Sequence, residues 1–181
     1  MKHEAMTEQI INNLKARIRD VPDFPKPGIV FKDITPLLSD PQAFRSALDL
    51  LGDRYTDRGV DVVVGIEARG FIIGSALAYK LGAGHALIRK EGKLPAKTYR
   101  AIYQLEYGTD TLEIHQDALP PGSRVLIADD VLATGGTVAA AIELVKKVGG
   151  EILEVAFLVE LSFLNGREKL QDYPVFSVIK Y

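Results

Sequence analysis

Val125-Leu126-Ile127-Ala128-Asp129-Asp130-Val131-Leu132-Ala133-Thr134-Gly135-Gly136-Thr137 is the stretch that decides the fold. Its first four residues are wholly apolar and read as a strand buried on both faces. Its last five are small and open a helix, whose apolar face is Val138, Ala141, Leu144, Val145 and Val148 and whose end is Gly149-Gly150. Backbone N–H groups at such a helix start, with the dipole and two threonine hydroxyls, make a cradle for a phosphate group. Asp129 and Asp130 stand beside it, able to accept hydrogen bonds from a sugar diol or to hold a hydrated magnesium ion. A strand end and a tight turn would account for the glycine pair alone. Burying two adjacent carboxylates with no ligand is costly, and that favours a site.

Outward from this stretch, apolar strands alternate with helices. Val62-Val63-Val64 is a short apolar strand, Gly70 to Lys80 suits the helix leaving its carboxyl end, and Ala86-Leu87-Ile88 is the next strand. Ile152 to Leu161 and Val175 to Ile179 add strand character at the end of the chain. This alternation predicts an α/β fold, a mostly parallel sheet covered by helices on both faces, with ligands at the carboxyl ends of the strands. Between strands, Gly65-Ile66-Glu67-Ala68-Arg69-Gly70-Phe71 can form a tight anion loop in which Arg69 is a bidentate donor. Arg89 to Arg100 is polar, and Arg89, Lys90 and Lys93 read either as a solvated charge run or as anion ligands. Ile102 to Tyr107 and Thr111 to His115 suggest a hairpin around Gly108. Near the start, Ile10, Ile11, Leu14 and Ile18 recur at helical spacing, and Asp20-Val21-Pro22 is expected to stop that helix. Phe24 to Gly28 is too proline-rich for helix or strand, and Asp40-Pro41 caps a helix with Phe44, Ala47, Leu48, Leu51 and Tyr55 on its apolar face.

The 181 residues fit one domain. A net charge of -2 and no run of basic residues give no sign of a nucleic-acid or membrane partner. With no cysteine there is neither a disulfide nor a thiolate metal site, and His3, His85 and His115 lack metal-ligand spacing. No stretch reaches the roughly 20 apolar residues of a membrane span, and the N-terminus lacks a signal-like apolar core, so a cytoplasmic protein is expected. There is no G-x-x-x-x-G-K-[ST] run, which argues against a P-loop hydrolase.

The Val125 to Thr137 run resembles the phosphoribosyl pyrophosphate signature of the type I phosphoribosyltransferases along its whole length. The resemblance implies that fold, with a small base-binding hood at about residues 20–38 and a flexible hairpin loop at about 90–115, in a single domain spanning 1–181. It implies that Asp129 and Asp130 bind the ribose hydroxyls and that Ala133, Thr134, Gly135, Gly136 and Thr137 bind the 5′-phosphate. Glu67, Ala68 and Arg69 resemble the family's pyrophosphate loop, in which the Glu67–Ala68 peptide is the expected cis bond. Arg89, Lys90 and Lys93 would then receive the leaving pyrophosphate, under a lid formed by Glu91 to Arg100 and the hairpin.

Three further segments resemble the branch of the family that acts on adenine. In Phe24 to Ile34, Phe31 would stack on the base, with Val30 and Lys32 offering backbone groups to its edge. Many relatives have arginine at the position of Lys32, a departure that matters little where the contact comes from the backbone. In Val159-Glu160-Leu161, Leu161 would meet the other face of the base, and in Leu105-Glu106-Tyr107-Gly108 Glu106 would handle the purine proton and Tyr107 would donate to pyrophosphate. Asp130, Arg69 and Glu106 are the expected catalytic residues. Magnesium is the expected cofactor, held mainly by the substrate and by Asp129 through water. Expected ligands are adenine, phosphoribosyl pyrophosphate, AMP and pyrophosphate, with a homodimer that brings Arg89 near its interface. The alternatives are a 6-oxopurine phosphoribosyltransferase, told apart by its nucleotide product, and a regulatory module of the same fold. The latter typically adds a DNA-binding segment, and neither a helix-turn-helix nor a basic surface run is read in this sequence.

Overall fold

The computed structural model describes residues 2–104 and 109–181 in two compact units, 1–50 and 51–181. In the first, α1 (Lys2–Lys15) is followed by β1 (Arg19–Pro22) and β2 (Val30–Asp33), which pair antiparallel with Val21 opposite Phe31. Asp20-Val21-Pro22 is therefore part of a strand rather than the stop signal expected of it. The helix ends earlier, and Ile18 is buried beyond it after a turn closed by Ile18 N–H donating to Lys15 O at 3.1 Å. Phe24 to Gly28 stays outside helix and strand as expected, with a cis Phe24–Pro25 peptide and positive φ at Asp23 and Gly28.

Asp33 ends β2 as an anchor. Its carboxylate accepts from Arg19 at 2.5 and 3.1 Å and from the Thr35 N–H at 2.9 Å, and these bonds, the Arg19 one foremost, hold its pKa down at about 2. A short helix, α2 (Thr35–Ser39), follows, and Asp40 then caps α3 (Pro41–Gly52) by accepting the N–H groups of Gln42 and Ala43, both at 3.0 Å. Ala47, Leu51 and Tyr55 are buried as expected, while Phe44 and Leu48 are only half-buried.

The second unit holds one seven-stranded sheet. Its strands are β3 (Val62–Ile66), β4 (Gly84–Lys90), β5 (Thr98–Gln104), β6 (Thr109–His115), β7 (Arg124–Leu132), β8 (Glu151–Glu160) and β9 (Val175–Lys180), in the order β5-β6-β4-β3-β7-β8-β9. β4, β3, β7, β8 and β9 run parallel, and β5 and β6 add an antiparallel edge. Val62 lies opposite Val125 and Val64 opposite Ile127, so these residues share one face. That face packs with Val138, Ala141, Leu144 and Val145 of α5 (Gly136–Val148) into the main core. The opposite face carries α4 (Gly70–Leu81), which packs on β3, β4 and β7. Glycines in the left-handed region stop both helices, Gly82 with φ 65° and Gly149 with φ 94°.

The polar stretch from Arg89 to Arg100 is shorter as irregular chain than its composition suggests. Arg89 and Lys90 complete β4, Thr98 to Arg100 begin β5, and only residues 91–97 lie between. Ion pairing makes this possible. The buried Glu113 of β6 accepts from Arg100 Nε at 2.8 Å and from the Gly92 N–H at 2.9 Å, so polar side chains sit on the sheet edge with partners.

Candidate functional site

The carboxyl end of β7 and the start of α5 meet as the sequence suggests, but Asp129 and Asp130 belong to the strand itself, which continues to Leu132. Successive strand residues point to opposite sides. Asp130 is buried, and Arg69 Nε donates to its Oδ2. Asp129 lies against Gly70, where an added Cβ would come within 2.6 Å of its Oδ1. The same oxygen accepts the Asp130 N–H at 2.9 Å. Burial, and then the negative charge of Asp130, push the Asp129 carboxyl well above the usual carboxylate range. A carboxylate pair in this condition gains from hydroxyl donors or a cation brought by a ligand.

Beyond the strand, Gly135 caps α5 with φ 78°, a conformation natural to glycine, and offers no side-chain cap. The first helical hydrogen bond runs from Ala139 N–H to Gly135 O at 3.0 Å, so the amides of Gly136, Thr137 and Val138 precede it. They lie at the amino end of a thirteen-residue helix, an arrangement whose amides and dipole can receive an anion. Gly166, outside every segment that carries a motif, shapes this loop. A Cβ at Gly166 would stand 2.2 Å from Ala133 O, and one at Gly135 would stand 2.4 Å from Gly166 O. The Asn165-Gly166 pair is a turn signal that could have drawn attention to it, and Asn165 does adopt φ 53°.

On the other side of β3, the Glu67–Ala68 peptide is cis, as the resemblance implies. Arg69 is the cap residue of α4, so a second helix amino end faces this loop. The Glu67 carboxylate turns to β4, accepting the Lys90 N–H at 2.9 Å and Arg89 Nε at 3.2 Å. Burial opposes its ionisation, but these bonds outweigh it and hold its pKa below the ordinary value. Arg89 also donates to Lys93 O at 3.1 Å. The structure thus brings Glu67, Arg89, Lys90 and the Lys93 backbone into one cluster. Glu67 there buttresses the loop through its own carboxylate.

Phe31 lies on β2 with its ring edge-on to Phe24, centroids 5.2 Å apart, and the Lys32 ammonium is 2.5 Å from Asp20 Oδ1. Val30 is exposed beside them. Leu161 follows β8 directly, its N–H bonded to Leu132 O at 2.9 Å, and preceding Glu160 makes a two-pronged pair with Arg167 at 2.6 and 2.7 Å. Glu106, Tyr107 and the hairpin tip at Gly108 fall outside the described residues. The hairpin stem on either side is present, with Gln104 opposite Thr109.

Residues 34–180 match the model of the phosphoribosyl transferase domain family. The chain is 61% identical over 171 residues to the adenine phosphoribosyltransferase of Geobacter metallireducens, covering 94% of this chain and 100% of that one. Among solved structures, the adenine phosphoribosyltransferase of Rhodothermus marinus superposes with a TM-score of 0.92 at 52% identity, covering 96% of this chain and 99% of that one. That of Saccharomyces cerevisiae, crystallised with an imino-altritol bisphosphate and adenine, gives a TM-score of 0.90 at 41% identity over 95% of this chain and 99% of that one.

Proposed function

Given that this chain belongs to the adenine phosphoribosyltransferase family, we infer that it joins adenine to the ribose 5-phosphate of phosphoribosyl pyrophosphate, giving AMP and pyrophosphate. The observation that carries this reading is the junction of β7 and α5, an acidic pair beside bare helix amides, in a chain alike along nearly its whole length to enzymes of that name. The test is to offer the purified protein, with magnesium and phosphoribosyl pyrophosphate, each nucleobase in turn. AMP should form with adenine, while IMP and GMP should not form from hypoxanthine and guanine. Equal IMP or GMP formation would turn the assignment to a 6-oxopurine enzyme.

The residue roles are part of the same proposal. Asp129 and Asp130 take the ribose hydroxyls, Ala133 to Thr137 the 5′-phosphate, and Glu67, Ala68, Arg69, Arg89, Lys90 and Lys93 form the pyrophosphate side, where the Glu67 carboxylate also holds Arg89 and the Lys90 N–H. Val30, Phe31, Lys32 and Leu161 contact the base, and Tyr107 donates to pyrophosphate. Bond breaking at C1′ leaves an oxocarbenium-like ribosyl centre, and adenine N9 attacks it from the face opposite the leaving group. Holding both substrates in place contributes several kcal/mol by proximity alone, roughly the range of well-oriented intramolecular reactions. The cations on the pyrophosphate side stabilise charge that grows as the bond breaks.

Magnesium would be held mainly by the substrate phosphates, with Asp129 the residue that would reach it through water. When bound, magnesium neutralises charge on the departing pyrophosphate. Glu106 assists loss of the purine proton. Glu106→Gln is therefore expected to lower turnover by about tenfold to a hundredfold or more with little change in either KM, within the general acid–base range. Unchanged turnover would remove that role.

We also infer that residues 1–181 act as one phosphoribosyltransferase domain, supported by a family match that begins in the first unit and runs to the end of the second. A homodimer is part of this reading, and the outer face of α4, where Tyr79 is 92% and Ile72 41% exposed, offers it an apolar surface. No helix among the described residues is long and apolar enough to cross a membrane, and the cytoplasm is the compartment proposed for the reaction.

A further inference from the structure

Lys90 has a partner that composition did not suggest. Its ammonium lies 2.9 Å from Asp110 Oδ2 at the start of β6. That oxygen also accepts from the Tyr103 hydroxyl at 3.1 Å, and Asp110 Oδ1 accepts the Thr111 N–H at 2.8 Å. Asp110 is 24% exposed and held on both oxygens, whereas the Lys90 side chain is 57% exposed. The Lys90 backbone is fixed separately, through its N–H to Glu67. The ammonium can therefore change partners while the strand beneath it stays still.

We propose that Asp110 is a built-in counter-ion that sets the affinity of the anion site for pyrophosphate, occupying Lys90 until a phosphate group displaces it. The proposal rests on the assignment of Lys90 to the pyrophosphate side given above. Two effects act in the same direction. An incoming pyrophosphate must break an existing charge-assisted hydrogen bond, and it must approach a carboxylate that repels it. Tyr103 strengthens the arrangement by fixing the carboxylate, and the Thr137 hydroxyl of the phosphate loop lies beside that phenol, so the counter-ion is tied to the loop that receives the 5′-phosphate. The benefit to the enzyme is release: product pyrophosphate leaves more readily when an internal anion waits to replace it.

Asp110→Asn keeps the shape and removes the charge. The expected result is that inorganic pyrophosphate inhibits AMP formation at a concentration lower by about twofold to fivefold, the scale of a partly exposed ion pair, with the KM for adenine unchanged. The difference should shrink at high ionic strength, because the effect is one of screened charge. Tyr103→Phe should move the constant the same way by less. Lys90→Ala should cancel the gain when combined with Asp110→Asn, since both changes act on one contact. An unchanged or weakened inhibition by pyrophosphate in Asp110→Asn would overturn the proposal, as would a gain that survives Lys90→Ala. AMP formation by the parent protein, measured alongside, separates failure of this idea from failure of the functional reading.

Discussion

Changing Asp129 and Asp130 together to asparagine is expected to lower AMP formation about a thousandfold while leaving the protein folded. Each carboxylate would lose charged hydrogen bonds to a ribose hydroxyl, which contribute about 1.5–3 kcal/mol apiece, and about 1.4 kcal/mol corresponds to a factor of ten. Stability should move differently. The Asp129 pKa is raised in the folded protein, chiefly by burial and then by Asp130. A carboxyl with a raised folded pKa favours the fold while protonated. It withdraws that contribution as pH climbs from the unfolded value of about 3.9 towards the folded one. Asparagine at 129 removes this penalty, so the single variant Asp129→Asn should melt at or above the parent temperature at pH 8, with a smaller difference at pH 4. Thermal melts at the two pH values, set beside steady-state rates, check both halves. Full activity in the double variant would remove the acidic pair from the reaction.

Gly166→Ala should cost about as much in activity as a change inside the phosphate loop. The added methyl would stand 2.2 Å from Ala133 O, and a carbonyl cannot swing aside as a side chain can. The loop must shift, and a displacement of roughly 1 Å at a binding site can cost about a hundredfold. A fall of that size in kcat/KM for phosphoribosyl pyrophosphate is expected, with a stability loss of about 1–3 kcal/mol from overpacking. Gly135→Ala meets the same contact from the other side, 2.4 Å from Gly166 O, and adds the strain of φ 78°. Gly122→Ala serves as the control, because its φ of 76° is similar and nothing lies within 4 Å of the added atom. It should lose stability without losing affinity for the substrate. If Gly166→Ala behaves like Gly122→Ala, the loop has more room than these distances allow.

What could be read in the chain and what could not follows from the range of the interactions involved. Val62 to Val64 and Val125 to Ala128 are legible as strands because burial on both faces leaves a continuous apolar run, and Ala86 to Ile88 because it is apolar too, although Leu87 is exposed. Gly135 and Gly149 mark the ends of α5 through local backbone chemistry. The acidic pair stands out because its cost is local too. By contrast, Gly166 meets Ala133 from across the fold, and Lys90 meets Asp110 across two antiparallel strands. Neither partner carries a pattern that announces the other. The same holds for Arg89, Lys90 and Arg100, whose charges suggest a loop until their carboxylate partners on Glu67, Asp110 and Glu113 are seen. The β1–β2 ribbon is hidden for a different reason: four-residue strands with no buried residue show no alternation strong enough to read.

β7 lies between β3 and β8, two strands inward from the nearer edge of the sheet. A segment in that place exchanges its amide hydrogens only when much of the molecule opens, whereas edge strands breathe at far smaller free energies. Asp129 and Asp130 thus ride on an interior strand of the second unit, while the hairpin of β5 and β6 hangs from the rim of the sheet. Fraying that lets ligands come and go at the border would leave the spacing between the two acids and the α5 amides untouched.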